Sequence, residues 1–442
     1  PADGQYSLLT GSLFYANLWA TPLSMTAIMF LDALGYHATV AKYLEIFRTE
    51  QGTVVAPGDG FSLHPGYLSS PKSLTSVDWL SDHGALLYTM AEHALLSGDT
   101  AFTTRWLDAI VRACEFIKYA RARMDHPGVP GLLPAAVATD NPARIQAVWN
   151  DGWNYKGLTT AVKLLRSVGH ARTDEFAREA EAYQAVFQAA FRARAAEMPT
   201  WMDGDGVTHH LTPTAFPGDS GEELRLNIYL DTGPLFLVYA GLFPADDPLM
   251  RSTLQWFREG PQTRFYRRDA SMSQVPCLDH EMSSHEPVYS WNVFHSWQLG
   301  DREKYLEGLY SLLAGGLSRQ TFIACETRGG ITGLTPALLP VWLMRLAVID
   351  DQFADDTLHL LRLAPVAWFS PERETVFADM PTEYGPVTLR WRLDGDTLRV
   401  SFLPQFRVPP TRVVLHHPPV AGLRYVCVNG VIQDFTDQPV VL

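Results

Sequence analysis

The 442-residue chain has few cysteines, no run of basic residues and no long apolar run, and each absence argues against one class of protein. It contains no CxxC pair, so we predict neither a structural zinc site nor a disulfide framework from its four cysteines, Cys114, Cys277, Cys325 and Cys427. A net charge of −13 disfavours nucleic acid and anionic membranes as partners. No stretch approaches the ~20 apolar residues of a membrane span. The compartment stays open.

Helical pairs joined at a glycine recur through the first 350 residues. An apolar helical stretch precedes each of Gly35, Gly98, Gly169, Gly241 and Gly300, as expected for left-handed helix caps. Short connections within pairs alternate with long ones between pairs, so the long loops share one face. We therefore predict an (α/α)6 toroid over residues 1–349. No sixth outer helix is visible in the sequence, and residues before Pro1 or a second chain would supply it. The sequence pattern leaves the oligomeric state open.

The pattern changes after residue 350. Short alternating apolar runs at 358–363, 387–393, 397–402, 412–416 and 425–428 are separated by Gly, Pro and Asn-Gly turn signals. We predict a small antiparallel β-sandwich domain over residues 350–442.

Carboxylates and aromatic residues occur together where the inner helices should begin. The residues are Asp78, Trp79, Asp82, Trp149, Asp151, Trp153, Tyr229, Asp231, Glu286, Tyr289 and Trp291. A single carboxylate of this kind usually caps a helix. Aromatic residues accompany these carboxylates repeatedly, and sugars stack on aromatic rings, so the pattern predicts a carbohydrate-binding pit. Two carboxylates placed on either side of a glycosidic bond suit its hydrolysis.

The stretch 274–330 carries the most titratable side chains. A loop with Asp279, His280, Glu281 and His285 precedes a predicted helix, and a CETRGG loop with Glu326 and Arg328 follows the next one. Because the two helices are predicted to be antiparallel, both loops should lie at one end, which we interpret as the working face.

Several motifs resemble those of the six-hairpin glycosidases. Trehalases and family 63 glucosidases carry an ESGWD motif whose aspartate is the general acid, and this chain has NDGWN, with Asn154 at that position and Asp151 one turn away. The segment LRLNIYL, with Asn227, resembles their DLNALLY-type segment. APVAWF and MPTEYGPVTLRW resemble the C-terminal sandwich of α-L-rhamnosidase-like and fucosidase-like members. The resemblance implies a glycoside hydrolase with a catalytic base in the loop of Glu326.

We assign roles on this basis. Asp151, which has tryptophans on both sides in sequence, is the candidate general acid, with Asp231 in reserve; Glu326 is the candidate base. Glu286, at a helix N-terminus, suits a base or an acceptor for a sugar hydroxyl. The predicted substrate-binding residues are Trp79, Asp82, His83, Trp149, Trp153, Asn154, Asn227, Asp231, Glu281, His285, Tyr289, Trp291 and Arg328. No cofactor or metal is expected, and the partner is a carbohydrate.

Other functions remain open. His285, Tyr289 and Asn292 fall on one helical face, as in a polysaccharide lyase. A glycan-binding protein without turnover would keep the aromatic residues and lose the acid. The aspartates of DDQFADD (residues 350–356) could bind magnesium as in a terpene cyclase, although a solvated linker is favoured. His280, Glu281, His285 and Glu286 could bind a metal, although hydrogen bonds to sugar are favoured.

Overall fold

A computed structural model describes most of the chain. It covers residues 18–71, 75, 78–138, 144–216, 233–259, 291–315, 339–418, 424–434 and 438–442. Within these ranges, no helix combines the length and apolar character needed to cross a bilayer.

Two layers of helices alternate along the chain. The inner helices are α1 (Ala20–Thr26), α3 (Leu80–Ser97), α5 (Val148–Ser167), α7 (Phe236–Ala240), α9 (Trp291–Leu299) and α11 (Pro340–Val348). The outer helices are α2 (His37–Glu50), α4 (Thr100–Arg121), α6 (Thr173–Glu197), α8 (Pro248–Glu259) and α10 (Arg302–Gly315). The inner layer is the more apolar one, and nearly every residue of α3 is buried.

The inner helices follow one another around a ring. Each contacts the next from α1 to α9, and α11 contacts the π-helical turn Ala27–Leu31 that continues α1. Outer helices pack against this ring, as α4 and α6 do against α5. The predicted helical toroid is therefore confirmed.

The hairpin glycines act as predicted. Gly35, Gly98, Gly169, Gly241 and Gly300 all have φ between 63° and 83°, a left-handed conformation that glycine adopts without a steric penalty. The next helix can start at once, as at Asp99, whose side chain accepts hydrogen bonds from two amides of the first turn of α4.

Helices α3 and α5 approach each other closely because glycine lies at their contact. A Cβ on Gly84 would lie 2.3 Å from the amide nitrogen of Asn154, and one on Gly157 would lie 2.4 Å from the carbonyl oxygen of Gly84. The backbone of α5 is thus held directly against α3.

Four short strands within the described residues come before α11: β1 (Gln146–Ala147), β2 (Thr200–Met202), β3 (Thr208–His210) and β4 (Ala215–Phe216). The residues after α11 form the other β-strands. They are β5 (Ile349–Asp350), β6 (Thr357–Leu360), β7 (Thr375–Met380), β8 (Val387–Asp394), β9 (Thr397–Pro404), β10 (Arg412–Leu415), β11 (Tyr425–Val428), β12 (Val431–Asp434) and β13 (Val440–Val441). Their sheets have the orders β13-β10-β6-β5, β7-β8-β9 and β11-β12. The pairing of β6 with β10 is parallel, whereas we had expected antiparallel pairing throughout. The domain division at residue 349 stays a prediction.

The first two aspartates of DDQFADD are structural. Asp350 accepts hydrogen bonds from the indole nitrogen of Trp297 at 2.8 Å and from Arg362 at 3.1 Å. Asp351 forms a fully buried pair with Arg345, at 2.5 and 2.8 Å. The segment therefore begins as a buried anchor between the helices and the β-strands, not as the solvated linker that the sequence suggested.

Candidate functional site

Aromatic rings from three consecutive inner helices meet inside the toroid. Trp153 of α5 lies 4.6 Å from Phe236 of α7, and Phe236 lies 4.8 Å from Trp291 of α9. Trp149 lies 4.9 Å from Phe236, and Tyr239 lies 5.1 Å from Trp291. All five side chains are buried. We call these residues the interior aromatic cluster; it unites three tryptophans that the sequence predicted to bind substrate.

Polar groups beside this cluster lack hydrogen-bond partners. Within the described residues, this is true of the buried indole nitrogens of Trp153 and Trp291 and of both side-chain amide atoms of Asn150, near the start of α5. Buried polar groups are nearly always hydrogen-bonded to protein, water or ligand. An enclosed water or a hydroxyl group of a ligand could pair with these donors and acceptors.

Trp79 occupies the start of α3 and stacks on another tryptophan. Its ring lies 6.5 Å from that of Trp19, with an interplanar angle of 24°. Trp79 is buried, and its indole nitrogen also has no partner within the described part of the chain. This pair adds aromatic surface at the end of the toroid where the inner helices begin.

Asp151 faces the outer helices. Its Oδ1 atom accepts a hydrogen bond from the Tyr183 hydroxyl of α6 at 2.6 Å and one from the amide of Leu133 at 3.2 Å. In a helix with 3.6 residues per turn, Trp149 and Trp153 project from the other side of α5. The tryptophans that flank Asp151 in sequence therefore do not flank it in space.

Burial shifts the Asp151 carboxyl group towards its neutral form. Desolvation raises its pKa to about 7, against the opposing effect of the hydrogen bonds from Tyr183 and Leu133. Within the described residues, Oδ2 has no partner. The group thus has the raised pKa of a general acid but lies on the outward side of α5.

Asp82 holds the start of α1. Its Oδ1 atom accepts hydrogen bonds from the amide of Thr21 at 2.7 Å and from its hydroxyl at 2.6 Å. Desolvation raises the pKa of Asp82 to about 7. This carboxyl caps a neighbouring inner helix, and its side chain is almost fully buried.

His83 points outwards towards α4. Its Nδ1 atom accepts a hydrogen bond from the amide of Leu68 at 3.0 Å, and its Nε2 lies 3.1 Å from the Ala113 carbonyl, to which it donates. Burial lowers the pKa of His83 to about 3, so the ring is neutral. Tyr67 stacks on it with ring centroids 5.6 Å apart.

Asn154, which stands where the ESGWD motif has its aspartate, joins α5 to α3. Its Nδ2 atom donates to the carbonyl oxygens of Leu80 at 3.1 Å and Asn150 at 2.8 Å. The side chain is fully buried, and Oδ1 has no partner within the described residues. The contacts of its Nδ2 are those of a packing residue.

The remaining sequence candidates lie outside the described residues, so their roles stay predictions. They are Asn227, Asp231, Glu281, His285, Glu286, Tyr289, Glu326 and Arg328. Of the three residues that suggested a lyase, only Asn292 is described, and it is buried in α9.

A polar group that was not predicted from the sequence lies deeper in the toroid. The hydroxyls of Tyr88 and Tyr239 lie 3.0 Å apart, and the ammonium group of Lys156 lies 4.6 Å from the ring of Tyr239. Glu92, one turn after Tyr88, is buried, and desolvation followed by the charge of Glu383 raises its pKa to about 8. The helical spacing of Trp149, Trp153 and Lys156 was the available signal.

The β-strand region supplies one end of this polar group. Glu383, in the turn between β7 and β8, forms an ion pair with Lys163 of α5. Gln352 donates hydrogen bonds to Glu383 at 2.9 Å and to Glu92 at 3.3 Å. The interior therefore has aromatic residues near the helix starts and charged residues where the β-strands pack.

Comparison with known proteins identifies the fold. No protein-family model matches the chain, and no curated protein matches its sequence. The GH78 family rhamnosidase of Bacillus sp. GL1 matches with a TM-score of 0.56 at 12% identity, over 90% of this chain and 38% of that one. The alpha-L-rhamnosidase from Dictyoglumus thermophilum matches with a TM-score of 0.55 at 12% identity, over 96% of this chain and 44% of that one. The chain thus spans less than half of either protein, and it has a six-hairpin glycosidase-like fold.

Proposed function

We propose that this chain, with its six-hairpin glycosidase-like fold, is a glycoside hydrolase that cleaves an oligo- or polysaccharide with paired carboxylates. The supporting observation is the interior aromatic cluster, which gathers three buried tryptophans, two of them with indole nitrogens that lack partners among the described residues. Ring faces stack on sugars, and such N–H groups bond to sugar hydroxyls. A carbohydrate satisfies both features at once.

The proposed acid and base come from different parts of the chain. Asp151 is the candidate acid, with a pKa that burial raises to about 7. Because its carboxyl group lies on the outward side of α5, Asp231 is kept as the alternative acid. Glu326 is the candidate base, and Glu286 orients a sugar hydroxyl or the attacking water. Lost acid–base catalysis typically lowers turnover ~100-fold or more.

The test is a hydrolysis screen over aryl α- and β-glycosides, followed by assays of single variants on the substrate found. We expect Glu326→Gln to lower kcat at least ~100-fold, while Asp394→Asn, which alters an exposed carboxylate of β8, leaves kcat unchanged. A normal kcat in Glu326→Gln would reject that base. An unsaturated, ultraviolet-absorbing product would instead identify a lyase.

A glycan-binding protein without turnover is the second candidate, and one observation favours it. Asp82 and Asp151, the carboxylates predicted at two inner-helix starts, both accept structural hydrogen bonds from neighbouring elements. Saturable binding on a glycan panel, with no hydrolysis of any bound glycan, would support this alternative.

A further inference from the structure

A carboxylate and two imidazoles meet where the first helical hairpin turns. Asp32 starts the 3₁₀ turn that ends the first inner helix, and His37 is the first residue of α2. Gly35, with φ of 81°, makes the turn that separates them by only five positions. His93, near the end of α3, completes the group. No site or function assigned above uses these three residues.

The three side chains converge closely. The Nδ1 atom of His37 lies 2.8 Å from Oδ1 of Asp32, and Nδ1 of His93 lies 2.8 Å from Oδ2. All the potential ligand atoms lie within 4.8 Å of one another. Each imidazole thus presents the same ring nitrogen to one carboxylate, so a single ion at its edge could contact all three groups after small shifts.

The surroundings suit a partly enclosed ion. Asp32 is fully buried, His93 is 1% exposed and the His37 side chain is 29% exposed. The ring of Phe102 packs edge-on against His93, with centroids 4.5 Å apart. One side of the group is therefore apolar, and the His37 side is open to solvent, which provides an entry path.

We propose that Asp32, His37 and His93 form a binding site for a divalent transition-metal ion such as Zn²⁺. Two imidazole nitrogens and a carboxylate match the ligands that Zn²⁺ prefers, and water completes the coordination. Without metal, each Nδ1–H donates to the carboxylate. On binding, each Nδ1 presents its lone pair, and its proton moves to Nε2 through solvent, or leaves if the ring was doubly protonated.

The site serves stability, and it does not depend on the proposed function. His93 lies eleven positions after Asp82 in α3, which is about 16 Å along the helix. The site therefore lies near the other end of α3 from the tryptophans at the inner-helix starts. Arg407 of the β-strand region donates a hydrogen bond to the carbonyl of Leu95 at 2.7 Å, so the metal would fasten α1, α2 and α3 beside that contact.

The experiment is calorimetric titration of the chelator-treated, tag-free chain with zinc chloride, alone and in three variants. His37→Gln and His93→Gln each remove one ligand. His209→Gln is the matched control, because His209 also lies 2.7 Å from a carboxylate, that of Asp203, but the described residues show no second imidazole there. Melting curves without zinc establish that each variant folds, and His37, being partly exposed, is the variant that tolerates replacement best.

We expect the wild type and His209→Gln to bind zinc with equal stoichiometry and affinity. His37→Gln should bind one equivalent less, or should bind that equivalent at least ~10-fold more weakly. Zinc should also raise the melting temperature of the first two proteins and not of His37→Gln. Equal zinc binding by wild type and His37→Gln, or no saturable binding by the wild type, would overturn the proposal and leave a hydrogen-bonded His–Asp–His bridge. If His93→Gln folds, its zinc binding compared with that of the wild type is a second, independent test of the same proposal.

Discussion

Replacing Asp151 with asparagine tests how this buried carboxyl group is held. Asparagine keeps an oxygen that can accept hydrogen bonds from Tyr183 and Leu133, and it cannot ionise. The variant therefore removes the titration while preserving most of the geometry.

The magnitude follows from the pKa of Asp151. Burial raises it from 3.8 to about 7, and at about 1.36 kcal/mol per pKa unit this amounts to about 4 kcal/mol of pH-dependent stability. Below the unfolded value the carboxyl is protonated in both states. Between the two values the unfolded chain releases its proton while the folded chain keeps it, so wild-type stability falls as pH rises. Above the folded value the dependence ends.

The assay compares melting temperatures of Asp151→Asn and wild type in steps between about pH 4 and pH 8. The variant should gain stability relative to wild type as pH rises, by about 1.4 kcal/mol per pH unit in the middle of the range. Asp82 and Glu92, whose pKa values are also raised, occur in both proteins and cancel in the difference. If the stability difference between Asp151→Asn and wild type does not change with pH, the raised pKa assigned to the buried Asp151 carboxyl is refuted.

The same variant separates two roles for Asp151. A general acid predicts that turnover falls at least ~100-fold in Asp151→Asn although the fold persists. A purely structural carboxyl predicts the pH-dependent stability change with normal turnover. Measuring kcat beside the melting curves distinguishes these outcomes in one preparation.

Two further substitutions test the interior and the buried anchor. Trp153→Phe keeps an aromatic ring but removes the indole N–H, so we expect KM to rise about 5- to 10-fold, as for one lost hydrogen bond. The control Trp201→Phe, outside the interior aromatic cluster, should leave KM unchanged. Equal changes in KM in the two variants would argue against sugar contact by Trp153. Asp351→Asn leaves Arg345 buried without its counter-charge and should lower the free energy of unfolding by about 3–5 kcal/mol. Chemical denaturation measures this beside the control Asp394→Asn, which should change the free energy of unfolding by less than about 0.5 kcal/mol. Equal stabilities of the two variants would show that the Asp351–Arg345 pair contributes little.

The toroid was predictable because its signals are local. A glycine at each hairpin turn, apolar residues at helical spacing and alternating loop lengths are all visible in the sequence, and they reflect backbone conformation and burial. Strand β6 and the strands β8 to β11 were found by the same kind of pattern. Strand β7 was missed because its side chains are largely exposed and do not alternate with apolar residues.

The candidate site was harder to predict because contacts in space decide it. Carboxylate and tryptophan share the inner-helix starts for separate reasons: Asp82 and Asp151 bind neighbouring elements, while Trp149 and Trp153 face inwards. Residues two apart in sequence take opposite sides of a helix, so sequence neighbours misled the reasoning about Asp151.

The polar group around Glu92 could not be predicted from the sequence, for a different reason. Glu92 and Glu383 are 291 residues apart, and only the packing of the β-strands against the toroid brings them into one environment. Long-range pairs of this kind leave no periodic signal. The same holds for Asp32 and His93, which are 61 residues apart.

Product analysis after incubation with a panel of α- and β-linked glycosides tests the central claim most directly. We expect release of a reducing sugar from at least one glycoside, with no unsaturated product, and loss of that release in Glu326→Gln. Binding of a glycan to the folded chain with every glycosidic bond left intact would contradict it.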